Sequence, residues 1–101
     1  VPLRRHVDAR PQDVRGLLAL AAAYDLTGRM AEAAPLYDRA EALAPADPAV
    51  LNNKALSLAL AGRLEESSRL LRRAAALSPA PAKVKGNLAL VDDLRREEKK
   101  P

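Results

Sequence analysis

The chain has 101 residues, 17 Lys and Arg against 13 Asp and Glu for a formal net charge of +4, two Tyr, and no Cys, Trp or Phe. This length predicts one domain with a small core, and the missing Cys excludes disulfides, thiolate metal sites and Cys nucleophiles. No apolar run is long enough to cross a bilayer, and the scarcity of aromatic rings speaks against stacking on nucleic-acid bases.

Taken in chain order, Leu3 to Ala9 reads as the tail of a preceding helix. Pro11 opens a segment that continues as VRGLLALAAAYDL, in which Leu17, Leu20, Ala21 and Tyr24 recur at helical spacing. Thr27-Gly28 ends it, because Gly supplies the left-handed conformation of a tight stop. A second helix is predicted from Met30 to Leu43, with Ala33, Leu36, Tyr37 and Ala40 as its apolar stripe. Pro35 removes a backbone donor and predicts a kink or a late start. In the turn Pro45-Ala46-Asp47-Pro48, Asp47 is a good N-cap and Pro48 a good first helical residue.

The third helix is predicted to run to about Ala61 and to stop at Gly62. Its partner runs from about Leu64 to Leu77, with Leu70, Leu71, Ala74 and Leu77 facing inward. Ser78-Pro79-Ala80-Pro81 closes that unit, and a last helix begins as AKVKGNLALVDDLRREEKK. Its charged end suits a C-terminal cap, and Asp92 with Arg96 has the spacing of a favourable i,i+4 pair.

These signals repeat at an offset of 34 residues. Gly28 and Gly62 stand at that offset, as do Pro45 and Pro79, Leu17 and Leu51, Ala21 and Ala55, and Ala40 and Ala74. One further offset brings Arg96 to the glycine position, so the last helix need not stop there. Helix, turn and helix at this period resemble the tetratricopeptide (TPR) repeat. The first unit carries Leu17, Leu20, Ala21, Tyr24, Ala33, Tyr37, Ala40 and Pro45 at the family's pattern positions. The second carries Leu51, Ala55, Leu58, Ser67, Leu71, Ala74 and Pro79, and departs at Lys54, whose stem packs while its amine is expected to reach water. The resemblance implies an all-α antiparallel helix-turn-helix solenoid with two full repeats and partial repeats at both ends. Its parts would be a tail at 1–11, repeats at 12–47 and 48–81, and a capping helix at 82–101.

A narrower likeness lies in the stretch LNNKALSLALAGRLEESSRLLRRAAALSPAPAKVKGNLALVDDL. It is similar to the repeats of TadD-type proteins, small TPR lipoproteins of the bacterial Tad (Flp) pilus assembly machinery. That resemblance implies a helper for assembly of the pilus secretin, periplasmic and outer-membrane-associated, anchored through an N-terminal lipidated Cys that this sequence does not contain. Val1-Pro2 opens no recognisable leader, so outside that family the expectation is either a cytoplasmic protein or one whose leader lies outside this sequence.

No enzymatic constellation is legible. His6 stands alone, Ser67-Ser68 has no base nearby, and the four Gly are dispersed rather than gathered into a phosphate loop. The adjacent carboxylates Asp92-Asp93 and Glu65-Glu66 point about 100° apart on a helix, so neither pair shares a substrate. No cofactor or metal is expected.

What remains is a binding surface. In TPR folds the first helix of each repeat lines the concave groove. The groove positions here are Arg15, Leu18, Ala19, Ala22, Asp25 and Leu26, then Ala49, Asn52, Asn53, Leu56, Ala59 and Leu60, then Lys83, Gly86, Asn87, Leu90, Asp93 and Leu94. The expected partner site is Leu18, Ala22, Asn53, Leu56, Leu60, Lys83, Asn87 and Leu90: an apolar floor with two amides one repeat apart that hold a peptide backbone. The TPR carboxylate clamp is rejected, because Leu18, Ala22 and Asn87 stand where it needs Lys, Asn and Arg. The expected function is a non-catalytic adaptor binding a peptide or partner helix, with a pilus secretin as the specific candidate. Self-association through the same groove is the competing occupant. The alternative is a nucleic-acid-associated module using Arg69, Arg72, Arg73, Arg95 and Arg96.

Overall fold

The computed structural model describes Arg4, residues 13–77 and residues 81–100. The readings at Leu3 to Ala9, His6, Pro11 and Ser78-Pro79-Ala80 lie outside the described residues. Among the described residues five helices follow one another: α1 (Val14–Leu26), α2 (Met30–Leu43), α3 (Pro48–Leu60), α4 (Leu64–Ala76) and α5 (Ala82–Glu98). Arg4 is also helical and the remaining described residues are turns and caps, so the architecture is all-α.

Local chemistry sets the helix ends. The Asp13 carboxylate accepts from the backbone N–H groups of Arg15 and Gly16 at 3.1 and 3.3 Å, and Asp47 accepts from Ala49 N–H at 2.9 Å. Pro48 follows Asp47 in the first turn, where its missing donor costs nothing. The outer helices begin differently. Arg29 and Arg63 occupy the N-cap positions of α2 and α4 without a side-chain cap bond. Each instead forks onto the Glu three residues on, Arg29 onto Glu32 at 2.6 Å and Arg63 onto Glu66 at 2.8 Å. Both glutamates lie in a first turn, where the helix dipole favours negative charge.

The helix stops are built identically in the two units. Gly28 N–H bonds to Asp25 O and Arg29 N–H to Tyr24 O, while Gly62 N–H bonds to Ala59 O and Arg63 N–H to Leu58 O. That is the paired hydrogen bonding of a Schellman stop. It requires the left-handed backbone found at Gly28 (φ 75°) and Gly62 (φ 82°). Nothing lies within 4 Å of a side-chain carbon placed at either glycine, so substitution meets no clash. Gly28→Ala and Gly62→Ala should each destabilise by roughly 1–2 kcal/mol through conformation alone. Thermal melts indistinguishable from the parent would contradict the left-handed stops.

Consecutive helices pack as pairs. In addition α1 touches α3 and α3 touches α5, whereas α2 and α4 do not touch through their backbones. The helices therefore form an inner layer of α1, α3 and α5 and an outer layer of α2 and α4. Two core clusters lie between the layers. Leu17, Leu18, Leu20, Ala21, Ala33, Tyr37, Ala40 and Val50 make the first. Leu51, Ala55, Leu64, Leu71, Ala74, Val84 and Val91 make the second. The inner helix of the following unit closes each cluster, through Val50 and through Val84 with Val91. Ala21, Ala33, Ala40, Ala55 and Ala74 are fully buried, which lets the helices approach closely. Tyr24 and Leu58 are half-buried.

Four expectations need correction. Pro35 does not delay α2, which begins at Met30 and holds Pro35 inside it on an exposed face. The lost bond there falls on the carbonyl of Ala31, an exposed residue within reach of water. Helix α4 ends at Ala76, and Leu77 is its C-cap. The Lys54 amine does not simply reach water, because Glu41 at 2.6 Å and Asp38 at 3.0 Å hold it. Asp92 pairs with Arg95 and with Arg72 of α4, while Arg96 pairs with Asp93. The three-residue spacing wins because Asp92 is also drawn across the helix interface by Ser68, whose hydroxyl donates to it at 2.7 Å.

Candidate functional site

The inner layer carries one open strip. On α1, residues 15, 19, 22 and 26 fall within one narrow arc of the helix, opposite the buried stripe of Leu17, Leu20 and Ala21. The same arc holds Ala49, Asn53, Leu56 and Leu60 on α3, and Lys83, Asn87, Leu90 and Leu94 on α5. Read across the three helices, these make four rows. The N-terminal row is Arg15, Ala49 and Lys83. Next comes a row with two amides, then one with Leu56 and Leu90, and last Leu26, Leu60 and Leu94. The strip contains no carboxylate.

Among the described residues, the last row holds the most exposed of the large apolar side chains. Leu26, Leu60 and Leu94 are 89%, 66% and 44% exposed, and Leu90 beside them is 57% exposed. Leaving such side chains in water forgoes about 1.5–3 kcal/mol each relative to full burial. Sequence reading counted all four among the groove positions but kept only Leu60 and Leu90 in the expected partner site. The repeat position that Leu26 and Leu94 share with Leu60 was the signal that would have kept them.

Ala22, Asn53, Leu56, Leu60, Lys83, Asn87 and Leu90 all lie on the strip. Leu18 does not: it is 8% exposed and belongs to the first core cluster. The Asn87 amide, expected to act with Asn53, is engaged inward instead. Asn87 Nδ2 donates to Asn52 Oδ1 at 3.0 Å, and Asn52 is buried. The Asn52–Asn87 bond ties α3 to α5 beneath the strip, leaving half-buried Asn53 on its surface.

Two polar networks stiffen the layers behind the strip. The Asp25 carboxylate accepts from Tyr37 Oη at 2.7 Å and from Ser57 Oγ at 2.9 Å, joining α1, α2 and α3. One repeat later the equivalent residues are Ala59, Leu71 and Val91, so all three polar groups are exchanged for apolar ones together. Such exchange avoids leaving any one of them unpaired. On the outer side, Arg73 of α4 reaches Glu41 at 2.9 Å and the Pro45 carbonyl at 3.1 Å, bridging to α2 and its following turn. This bridge crosses a cleft over α3 lined by Lys54, Leu58, Glu66, Arg69 and Leu70.

The charges balance inside these networks. The Lys54 hydrogen bond, aided by Arg73, holds the Glu41 carboxyl below its ordinary range despite burial. The Ser68 hydroxyl, with Arg95 and Arg72, does the same for Asp92. Burial opposes the Lys54 charge, but its hydrogen bonds to Glu41 and Asp38 outweigh it and raise the amine. Burial and the Asp25 hydrogen bond push the Tyr37 phenol up. The two depressed carboxyls contribute stability that is present above their unfolded values, about 4, and lost as pH falls through the lower folded values. The two raised groups contribute stability present below about 10 and lost above it. Urea midpoints should therefore be lower at pH 3 than at pH 7. The drop should shrink in a Glu41→Gln, Asp92→Asn variant, and an equal drop would contradict the assignment.

The five arginines considered for nucleic acid each face a carboxylate: Arg69 Glu65, Arg72 and Arg95 Asp92, Arg73 Glu41, and Arg96 Asp93. They form no free cationic stripe. The adjacent carboxylates likewise face separate arginines, Glu65 toward Arg69 and Glu66 toward Arg63. Among the described residues no cluster of His, Asp or Glu is placed to hold a metal ion, and no helix is long and apolar enough to cross a membrane. No family model matches the chain, and no curated protein matches it at a significant level.

Proposed function

We propose that the chain is a TPR-type helical solenoid that binds a segment of another protein on the inner strip, without catalysis. The observation that carries this reading is the row of Leu26, Leu60 and Leu94, exposed at one repeat position on three inner helices. Large apolar side chains left exposed in a row above well-packed helices support a protein-binding surface. The inner and outer layering supports the same reading, because stacked helix pairs leave a continuous face on the inner side.

A display selection of random peptides against the folded chain tests it. Selected peptides should bind Leu60→Asp and Leu94→Asp about tenfold or more weaker than the parent, a loss typical of an anchor position. They should bind an outer-face Arg69→Ala variant unchanged. Peptides sensitive to Arg69 and indifferent to Leu60 would move the site to the outer cleft. The narrower proposal, a Tad pilus assembly helper, draws on the sequence likeness and names the pilus secretin as the partner. Purified secretin should then retain the parent chain and release the Leu60→Asp, Leu94→Asp variant.

A further inference from the structure

We infer that the two joints between units carry opposed polar patterns, which decide which helix seats on which pair and keep the chain from packing one repeat out of register. At the first joint α3 seats on the α1–α2 pair, and at the second α5 seats on the α3–α4 pair. Repetition invites slippage, and misassembly is a characteristic failure of repeat proteins. The apolar contacts do not prevent it. Val50 and Val84 stand 34 residues apart, both are fully buried, and each closes the core cluster of the preceding pair. Leu17 and Leu51, Ala21 and Ala55, and Ala40 and Ala74 are likewise identical at that offset and buried. By these residues alone α5 fits α1–α2 as well as α3 does.

The polar residues make the distinction. At the first joint Asp25 accepts from Tyr37 and Ser57, while Asp38 and Glu41 of α2 hold Lys54 of α3. One repeat on, the places of Asp25, Tyr37, Glu41, Lys54 and Ser57 are taken by Ala59, Leu71, Ala75, Leu88 and Val91, which lie in or against the second core cluster. The charges there are reversed. Arg72 of α4 stands at the place of Asp38 and pairs at 3.2 Å with Asp92 of α5, which also accepts from Ser68 at 2.7 Å. Seating α5 on α1–α2 would therefore bring Asp92 to Asp38 and Ala34, deprive Asp25 of Ser57 and Glu41 of Lys54, and set Asn87 against Leu18, which stands at the place of Asn52. Seating α3 on the α3–α4 pair of a second copy would bring Lys54 to Arg72 and Ala75, and Ser57 to Leu71. A partly buried charge left unpaired or faced by its like is strongly disfavoured, and rejection of this kind is how a helix discriminates between similar partners. In the native seating, among the described residues, no buried polar side-chain atom lacks a hydrogen-bond partner.

Refolding the full 15N-labelled chain from urea, followed by its amide spectrum, tests the inference in two variants that make the joints alike. One gives the first joint the residues of the second: Asp25→Ala, Tyr37→Leu, Asp38→Arg, Glu41→Ala, Lys54→Leu and Ser57→Val. The other gives the second joint those of the first: Ala59→Asp, Leu71→Tyr, Arg72→Asp, Ala75→Glu, Leu88→Lys, Val91→Ser and Asp92→Leu. The parent should refold to one resonance per amide, and each variant should show a second set, because either helix then suits either pair. Sedimentation assigns the second set to slippage within one chain or between copies, and both are the expected loss of register. The apolar variant keeps a joint chemistry that the parent already uses, so its second set would reflect lost distinction rather than lost packing. A folded variant of either kind with a single set overturns the inference. So does a second set in the parent, and so does a failure of both variants to fold, which would give these residues to stability instead of pairing. Where only one variant folds, that one decides.

Discussion

Truncating Leu71 to alanine should lower the unfolding free energy by about 2–5 kcal/mol. Leu71 is fully buried among Leu51, Ala55, Val84 and Val91, where α3, α4 and α5 meet. A domain of this size has roughly 5–15 kcal/mol in total, so the loss is a large share of its stability. Equilibrium urea unfolding measures it, and an unchanged midpoint would remove Leu71 from the core. A harder test uses the exchanged seam. Leu71→Tyr alone places a phenol in an apolar interface without a partner. Adding Ala59→Asp and Val91→Ser supplies the arrangement that Asp25, Tyr37 and Ser57 already make one repeat earlier. The triple variant should be more stable than Leu71→Tyr by about 1 kcal/mol or more, a coupling visible only if the three positions meet.

Enlarging Ala74 or Ala55 to leucine should cost about 1–3 kcal/mol. Both alanines are fully buried, and Ser67 of α4 stands close enough to donate its hydroxyl to the Ala55 carbonyl at 2.7 Å. No space for three further carbons exists at such an approach without moving a helix. Leucine at the exposed Ala76 on α4, in contrast, should leave the urea midpoint within the spread of replicate measurements. A tolerated Ala74→Leu would mean that α4 is not seated as described.

Residues whose chemistry is local were legible in the sequence. Gly28, Gly62, Asp47 and Pro48 determine backbone conformation within their own turns, and their roles follow from residue type and position. Buried alanines were legible because a small residue repeated at a fixed offset has few reasons to persist except close packing. Partners across helices were not legible. A period identifies equivalent positions, but neighbouring units meet through complementary ones. Asn53 and Asn87 are equivalent, yet Asn87 bonds to Asn52, the adjacent residue pointing about 100° away on the same helix. Leu18 looked like groove floor because it stands at a repeat position that lines the groove in the family it resembles, while its side chain turns into the first core cluster. Asp92 looked like half of a pair within its own helix, and an interface hydroxyl and Arg72 on α4 drew it elsewhere.

The proposed binding face is the inner strip and not the outer layer. The backbone amide spectrum of the uniformly 15N-labelled chain, titrated with a selected peptide, tests it residue by residue. Shifts should concentrate at Ala22, Asn53, Leu56, Leu60, Asn87, Leu90 and Leu94, on three helices that are neighbours only in the folded chain. The outer positions Asp38, Arg69 and Arg73 should stay in place. Shifts centred on α2 and α4, with the strip unmoved, would contradict the account.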